Sequence, residues 1–214
     1  MDCCNYKKKL EEPQPYQEYN LKMSSLEYIK EFSNIDIISI NDNFEEIEIE
    51  ISIDNLVQMV LFLKDDPNCM FEQLSDLTAI DYPERKKRFS IVYQFLSVKH
   101  NNRIRVLCSI SENETVPSLA KIFPSSIWAE REIWDMFGIF VDDHPDLRRL
   151  LTDYGFQGHP LRKDFPLTGH VEVNYDNNSR RVQYNPVSLV QDFRQFDFSS
   201  PWGDNIDNET DKNN

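Results

Sequence analysis

The stretch EEIEIEISI, Glu45 to Ile53, decides the fold class. Ile47, Ile49, Ile51 and Ile53 alternate with Glu46, Glu48, Glu50 and Ser52. Successive side chains of a strand point to opposite faces. The spacing therefore predicts a strand with one apolar face turned inward and one acidic face turned to water. The run of acid reads as a solvated sheet face rather than as a metal site, because alternation alone accounts for it.

Working outward, Ile35–Ile40 is β-branched and predicts a second strand, preceded by a short amphipathic helix over Leu21–Phe32. Asp54 is placed to cap a helix running to about Lys64, and Pro67 ends that element. Phe71–Tyr82 packs aromatic and aliphatic residues around two Asp and closes at Pro83. Phe89–Val98 and Arg103–Ile110 predict a strand pair joined at Lys99–Asn102, which makes His100 a turn residue. Ile104, Val106, Cys108 and Ile110 share a face, so Cys108 reads as a small core residue. Pro117–Phe123 predicts a short helical or turn segment, and Ser126 starts a helix that stops at Gly138. Arg131 and Asp135, four apart on that helix, can pair on its surface. Trp134 and Phe137 make the helix apolar on more than one side, which favours buried or interfacial pairing of Glu130, Arg131, Glu132 and Asp135 over a solvated face.

The fold class is thus α/β, of the α+β kind with a mixed sheet and packed helices, followed by a long, largely irregular C-terminal arm. The predicted organisation is an irregular extension over 1–20, an α/β domain over 21–141, a partner-binding arm over 142–203 and a disordered acidic tail over 204–214. Within the arm, only Val171–Tyr175 and Arg181–Tyr184 suggest strands, and Val187–Phe193 a turn of helix.

Charge and cysteines narrow the function classes. Lys and Arg total 23 against 37 Asp and Glu, a formal charge of −14, which argues against nucleic acid as a partner. The cysteines Cys3, Cys4, Cys69 and Cys108 form no C-x-x-C, so neither a disulfide framework nor an iron–sulfur cluster is expected. No apolar run nears the roughly 20 residues of a membrane span. The start carries no secretory segment and no Arg- and Ser-rich transit pattern. Asn and Ile are abundant while Gly and Ala are scarce, a bias expected of an AT-rich, organellar genome.

The irregular half holds Tyr154, Phe156, Phe165, Tyr175, Tyr184, Phe193, Phe196, Phe198 and Trp202. Each such anchor contributes on the order of 2 kcal/mol when buried, and anchors without a local core need a partner's. Catalytic readings are weaker. His144 and His159 are too widely spaced for a local metal knuckle, and there is no H-E-x-x-H, G-x-S-x-G, phosphate loop or G-x-G-x-x-G. A free-standing metal-dependent hydrolase using His144, His159 and Asp164 is carried as the rival of a different class. Arg148, Arg149 and Arg162 could alternatively hold an anionic head group.

The run EREIWDMFGIFVDDHPDLRRLLTDYGFQGHPLRKDFPLTG, Glu130 to Gly169, closely resembles the thirty-kilodalton subunit family of respiratory complex I. The likeness continues through FEQLSDLTAIDYP and RFSIVYQFLSV upstream and VEVNYD and RRVQYNPVSLVQDFRQFDFSSPW downstream. The resemblance implies a core, non-catalytic subunit of the peripheral arm of proton-pumping NADH:ubiquinone oxidoreductase. Such a subunit would bind the forty-nine-kilodalton quinone-pocket subunit, beside the subunit bearing the terminal iron–sulfur cluster and other peripheral-arm subunits. It would hold no flavin, cluster or metal, the FMN and iron–sulfur clusters belonging to neighbours. It would meet the membrane only through the complex, on the matrix side of the mitochondrial inner membrane. A subunit of a related ferredoxin-dependent or hydrogenase-linked complex is the runner-up.

The family's motif maps to Glu130, Arg131, Glu132, Trp134, Asp135, Met136, Phe137, Gly138, His144, Pro145, Asp146, Arg148 and Arg149. It continues through Asp153, Tyr154, Gly155, Phe156, Gly158, His159, Pro160, Arg162, Lys163, Asp164, Phe165 and Pro166, all with a structural and interfacial role implied. Ala129 and His170 depart from the family's usual aromatic and Tyr.

Overall fold

The computed structural model describes residues 25–43, 46–191 and 194. The predicted extension over 1–20 and tail over 204–214 lie outside them. Helix α1 spans Ser25–Phe32; strands β1 and β2 span Ile37–Asn43 and Glu46–Ile51. A 3-10 turn over Ile53–Asn55 leads into α2, Leu56–Asp65. Strands β3, Gln73–Asp81, β4, Phe89–Ser97, and β5, Asn102–Ile110, complete a five-stranded sheet in the order β1-β2-β5-β4-β3.

The sheet is mixed because β2 joins β5 in parallel, with Glu48 beside Arg105 and Ile49 beside Val106, while the other pairs are antiparallel. The period-two reading holds. Ile49 and Ile51 are buried with Ile91, Tyr93, Phe95, Val106 and Cys108 in one core. The acidic side is partly sheltered: Arg105 donates to Glu48 and Glu46 at 3.1 Å each, and the Ser109 hydroxyl to Glu50 at 3.0 Å. Leu56, Met59, Val60 and Leu63 of α2 bury their stripe in the core. Asp54 does not cap α2; its carboxylate meets the Ser52 hydroxyl at 3.5 Å, and the 3-10 turn replaces the cap. Burial pushes the thiols of Cys69 and Cys108 up to about 12, so neither is a poised nucleophile.

Helix α3, Ser126–Phe137, lies against β3 and ends at Gly138, whose φ of 75° is left-handed. Around it, β6, Val116–Pro117, pairs in parallel with β7, Val141–Asp142, a bridge too short for any periodicity to reveal.

The chain divides into two compact units after Phe165. The predicted domain end near 141 thus differs from the structural boundary, because residues 142–165 find polar partners within the first unit. The second unit opens at Pro166 and contains a hairpin of β8, Val171–Asp176, and β9, Arg181–Pro186. The Val187 amide donates to the His170 carbonyl and closes its base. Val187–Gln191 carries no helix, contrary to expectation; Asp192 and Phe193 lie outside the described residues. A segment this short does not nucleate a helix by itself.

Candidate functional site

The site grows from α3. Its sequence, SIWAEREIWDMF, buries two carboxylates, Glu130 and Asp135. A buried charge survives only where donors surround it. Glu130 accepts from the Ser118 hydroxyl at 2.6 Å and the Leu119 amide at 2.7 Å. His144 lies 3.8 Å away and bonds elsewhere. Its Nδ1 accepts from the Asp146 amide at 3.0 Å, which leaves the proton on Nε2 to donate to the Ile127 carbonyl at 3.1 Å.

Asp135 is the more elaborate. One carboxylate oxygen accepts from three successive amides, Leu150, Leu151 and Thr152, at 2.8–3.0 Å. The other accepts from Arg149 Nη1 at 2.9 Å and the Thr152 hydroxyl at 2.5 Å. Burial alone would raise this carboxyl's pKa. The Thr152 hydroxyl and the three amides outweigh it and bring it down to about 2. Arg149 also reaches the Gly158 carbonyl at 3.2 Å and lies over the rings of Trp134 and Phe156. Arg131 donates to the carbonyls of Arg148 and Arg149 at 3.0 and 3.1 Å. The surface pair allowed by the spacing of Arg131 and Asp135 is therefore corrected. The two act side by side on one loop, Arg131 taking its carbonyls and Asp135 its amides.

The C-terminal end of α3 is equally complete. A helix leaves its last four carbonyls without helical partners. Here Trp134 O accepts from the Gly138 amide, Asp135 O from His159 Nδ1, Met136 O from the Leu161 amide and Phe137 O from Arg162 Nε. The segment His159–Arg162 thus serves as a tertiary cap, and the Arg162 charge favours the negative end of the helix. Any Cβ at Gly138 would stand 2.5 Å from His159 Nε2 and 2.7 Å from Arg162 Nη2. Burial lowers the pKa of His159, with the charges of Arg162 and Arg149 adding to the effect and its carbonyl bond opposing it.

A third anchorage ties the loop to the sheet. Arg88 grips Asp81 with two bonds, 2.7 and 2.9 Å, and reaches Asp164 at 3.0 Å. The Lys163 amide donates to the same Asp81 carboxylate at 2.8 Å, and Arg162 pairs with Glu112 at 2.7 Å. The Arg88 bonds, more than any other group, hold the Asp81 carboxyl below the usual range. Phe156 and Phe165 face each other at 5.9 Å, and a Cβ on Gly158 would strike Phe165 at 2.7 Å. Ile133, Met136 and Phe137 carry the apolar side of α3 into the core.

Residues 142–165 therefore form a strap bound to α3 and the sheet. Glu132, Pro145, Asp146, Arg148, Asp153, Tyr154, Gly155, Lys163 and Asp164 are placed outside the core, Tyr154 at 98% exposure. Pro160 is half-buried, and Pro166 begins the second unit. The rival hydrolase set is not brought together: His144 serves Ile127 and Asp146, His159 serves Asp135, and Asp164 serves Arg88. Among the described residues no three His, Cys, Asp or Glu side chains converge on one point. Asp81, Arg88, Glu112 and Thr152 were not singled out from sequence. For Asp81 the signal was present, since Leu77, Ala79 and Asp81 share a strand face and two of them are apolar.

In the second unit, none of the described residues is buried. The register of the hairpin puts Val171, Val173 and Tyr175 opposite Pro186, Tyr184 and Val182 on one face. Glu172, Asn174 and Asp176 stand opposite Asn185, Gln183 and Arg181 on the other. The non-proline residues of the apolar face are 53–61% exposed.

The first unit is a mixed sheet backed by helices, with a strap that cross-links its own elements, and the second carries an exposed amphipathic hairpin. The model of the family "Respiratory-chain NADH dehydrogenase, 30 Kd subunit" matches residues 49–171. The chain belongs to that family. It is 57% identical over 166 residues to the C-type subunit of NADH-quinone oxidoreductase from Ruegeria pomeroyi, covering 78% of this chain and 83% of the relative. It is 51% identical over 177 residues to the same-named protein of Paramagnetospirillum magneticum, covering 82% and 89%. Among solved structures, a chain of the membrane-bound sulfane sulfur reductase, an archaeal respiratory membrane complex, shares the fold. That likeness has a TM-score of 0.54 at 19% identity and covers 65% of this chain and 81% of the other.

Proposed function

We propose that this chain is a core, non-catalytic subunit of the peripheral arm of a proton-pumping NADH:ubiquinone oxidoreductase. It binds and positions the forty-nine-kilodalton quinone-pocket subunit, beside the subunit bearing the terminal iron–sulfur cluster. Electron transfer from NADH to ubiquinone takes place in neighbours that hold the FMN and the clusters. Its contribution is positional, and misplacing reacting groups by about 1 Å can cost on the order of a hundredfold in rate. Family membership and the names of the relatives support the reading. The compositional bias toward Asn and Ile supports an organelle-encoded subunit on the matrix side of the mitochondrial inner membrane.

The observation that carries the partner-binding part is the hairpin of the second unit. Two strands alone are marginal in water, and an apolar face of two valines, two tyrosines, a further valine and a proline is stabilised only when covered. Its opposite face is polar throughout, so one side suits a partner and the other suits water. No described residue of this unit is buried, whereas the strap has donors and acceptors answered within the chain.

The test is a native separation of membranes solubilised in mild detergent, probed for this chain and stained for NADH oxidation. Co-migration in one large active band is the expected result. The double variant Val173→Asp, Tyr184→Asp is expected to leave that band while remaining folded as a lone chain. A free small species of the unaltered chain, with the active band lacking it, would overturn the reading.

A further inference from the structure

We propose that the loop between β3 and β4 is a docking site for a carboxylate-rich segment of a neighbouring subunit, an inference that rests on the subunit reading above. The loop reads Tyr82-Pro83-Glu84-Arg85-Lys86-Lys87-Arg88, four cations in succession within a chain of formal charge −14. Its base is fixed by backbone bonds. The Tyr82 amide donates to the Arg88 carbonyl at 2.8 Å, and the Arg85 amide to the Tyr82 carbonyl at 3.0 Å. Beneath it, Arg88 and the Lys163 amide both hold the buried Asp81 carboxylate. The charge of Arg88 is thereby neutralised internally by Asp81 and Asp164.

Arg85, Lys86 and Lys87 are different. All three are exposed, and none has a carboxylate within ion-pair distance among the described residues. Lys163, also exposed, adds a fourth cation from the strap, its amide fixed on Asp81. Arg85 is already organised for a ligand: its guanidinium carbon lies 3.7 Å from the centre of the Tyr82 ring. Stacking uses the face of the guanidinium and leaves its in-plane N–H donors for another acceptor. That planar fork matches a carboxylate, as Arg88 demonstrates at the end of the same loop with two bonds to Asp81.

Adjacent cations repel one another, and an anion relieves that repulsion. The surface also carries Glu84 and Asp164, both exposed. Mixed signs disfavour a continuous sheet of phosphates. A polypeptide can instead place Asp or Glu against Arg85, Lys86 and Lys87 and leave its neutral or basic residues for Glu84. Charge complementarity of this kind sets register and association rate more than affinity.

The experiment uses the assembled complex and the lone full-length chain. Acylation of amines is mapped by mass spectrometry in both, and a zero-length carbodiimide cross-link is sought in the complex. Loss of acylation at Lys86 and Lys87 on assembly is expected, with a cross-link from one of them to an Asp or Glu of another subunit. The variant Arg85→Glu, Lys86→Glu, Lys87→Glu is expected to release the subunit at lower salt than the unaltered chain, with the thermal unfolding of the lone chain unchanged. Equal acylation in both states, or an unaltered salt tolerance of the triple variant, overturns the proposal. So does binding of the lone chain to phosphatidylserine vesicles that the triple variant abolishes, if no cross-link to a neighbour forms. Failure of the unaltered chain to co-migrate with the complex would instead strike the subunit reading itself.

Discussion

Residues 142–165 and 166–191 belong to the same largely irregular half and both carry aromatic anchors, although only the second offers strand-like runs, at Val171–Tyr175 and Arg181–Tyr184. Their structures are opposite. The strap of 142–165 delivers amides to Asp135, side-chain donors to the end of α3 and Asp164 to Arg88. Among the described residues, the strands of the 171–186 hairpin pair with each other, and its apolar face is exposed. Irregularity in a sequence therefore has two meanings. Such a segment can find its partners in another part of its own fold or, on the proposed function, in another molecule.

The largest effect is expected at Asp135. Asp135→Ala would leave Arg149, Thr152 and three amides without their acceptor, at a cost of about 3–5 kcal/mol. Denaturant unfolding of the lone chain measures it, and limited proteolysis should then cut the strap as readily as the hairpin. A loss below about 1 kcal/mol would mean that the strap is held by its aromatic residues instead. Gly138→Ala combines a left-handed backbone with overlap on His159 and Arg162, for an expected loss of about 2–4 kcal/mol. Its melting temperature should fall, and protease sensitivity should appear first near His159.

Acid provides a graded form of the same test. The Asp135 carboxyl is held at about 2, below its ordinary unfolded value. A depressed acid contributes stability that is fully present above the unfolded pKa and is lost as pH falls through the folded one. On the order of 2 kcal/mol should therefore disappear between about pH 4 and pH 2. Denaturant midpoints across that range, compared between the unaltered chain and Asp135→Asn, isolate this share. The smallest effect is expected on the hairpin. Val173→Asp should change the stability of the lone chain by no more than about 0.5 kcal/mol, because that side chain is exposed. A large loss there would mean that the apolar face is covered within the chain.

The sheet was readable because alternation is a local property. Ile47–Ile51, Phe89–Val98 and Arg103–Ile110 each carry their own face assignment, and the observed register agrees, although the alternation runs on to Ile53, which the structure places in the 3-10 turn. The stop of α3 at Gly138 was readable for the same reason. The parallel joint of β2 to β5 was not, since pairing partners lie more than fifty residues apart. Arg131 and Asp135 misled because spacing on a helix reports only what a helix can do for itself. Both side chains had stronger offers from a loop 14–18 residues away. Much of the candidate site, namely Glu130, Asp135, Gly138, His159 and Arg162, was named from the resemblance, while Asp81 and Glu112 came only with the structure.

The tertiary cap of α3 also bears on the order in which the molecule forms. The bonds from His159 and Arg162 to the last helical carbonyls close loops of 24 and 25 residues, and those around Asp135 close loops of 14–17. Loop-closure entropy rises only slowly with length, so such bonds are inexpensive to make once α3 exists. A ribosome releases α3 first and the strap immediately after it, and the strap can settle while the rest of the chain is still being synthesised. On the proposed function, the subunit would reach its neighbours with the first unit finished, and only the unit beginning at Pro166 would still have to be matched to them.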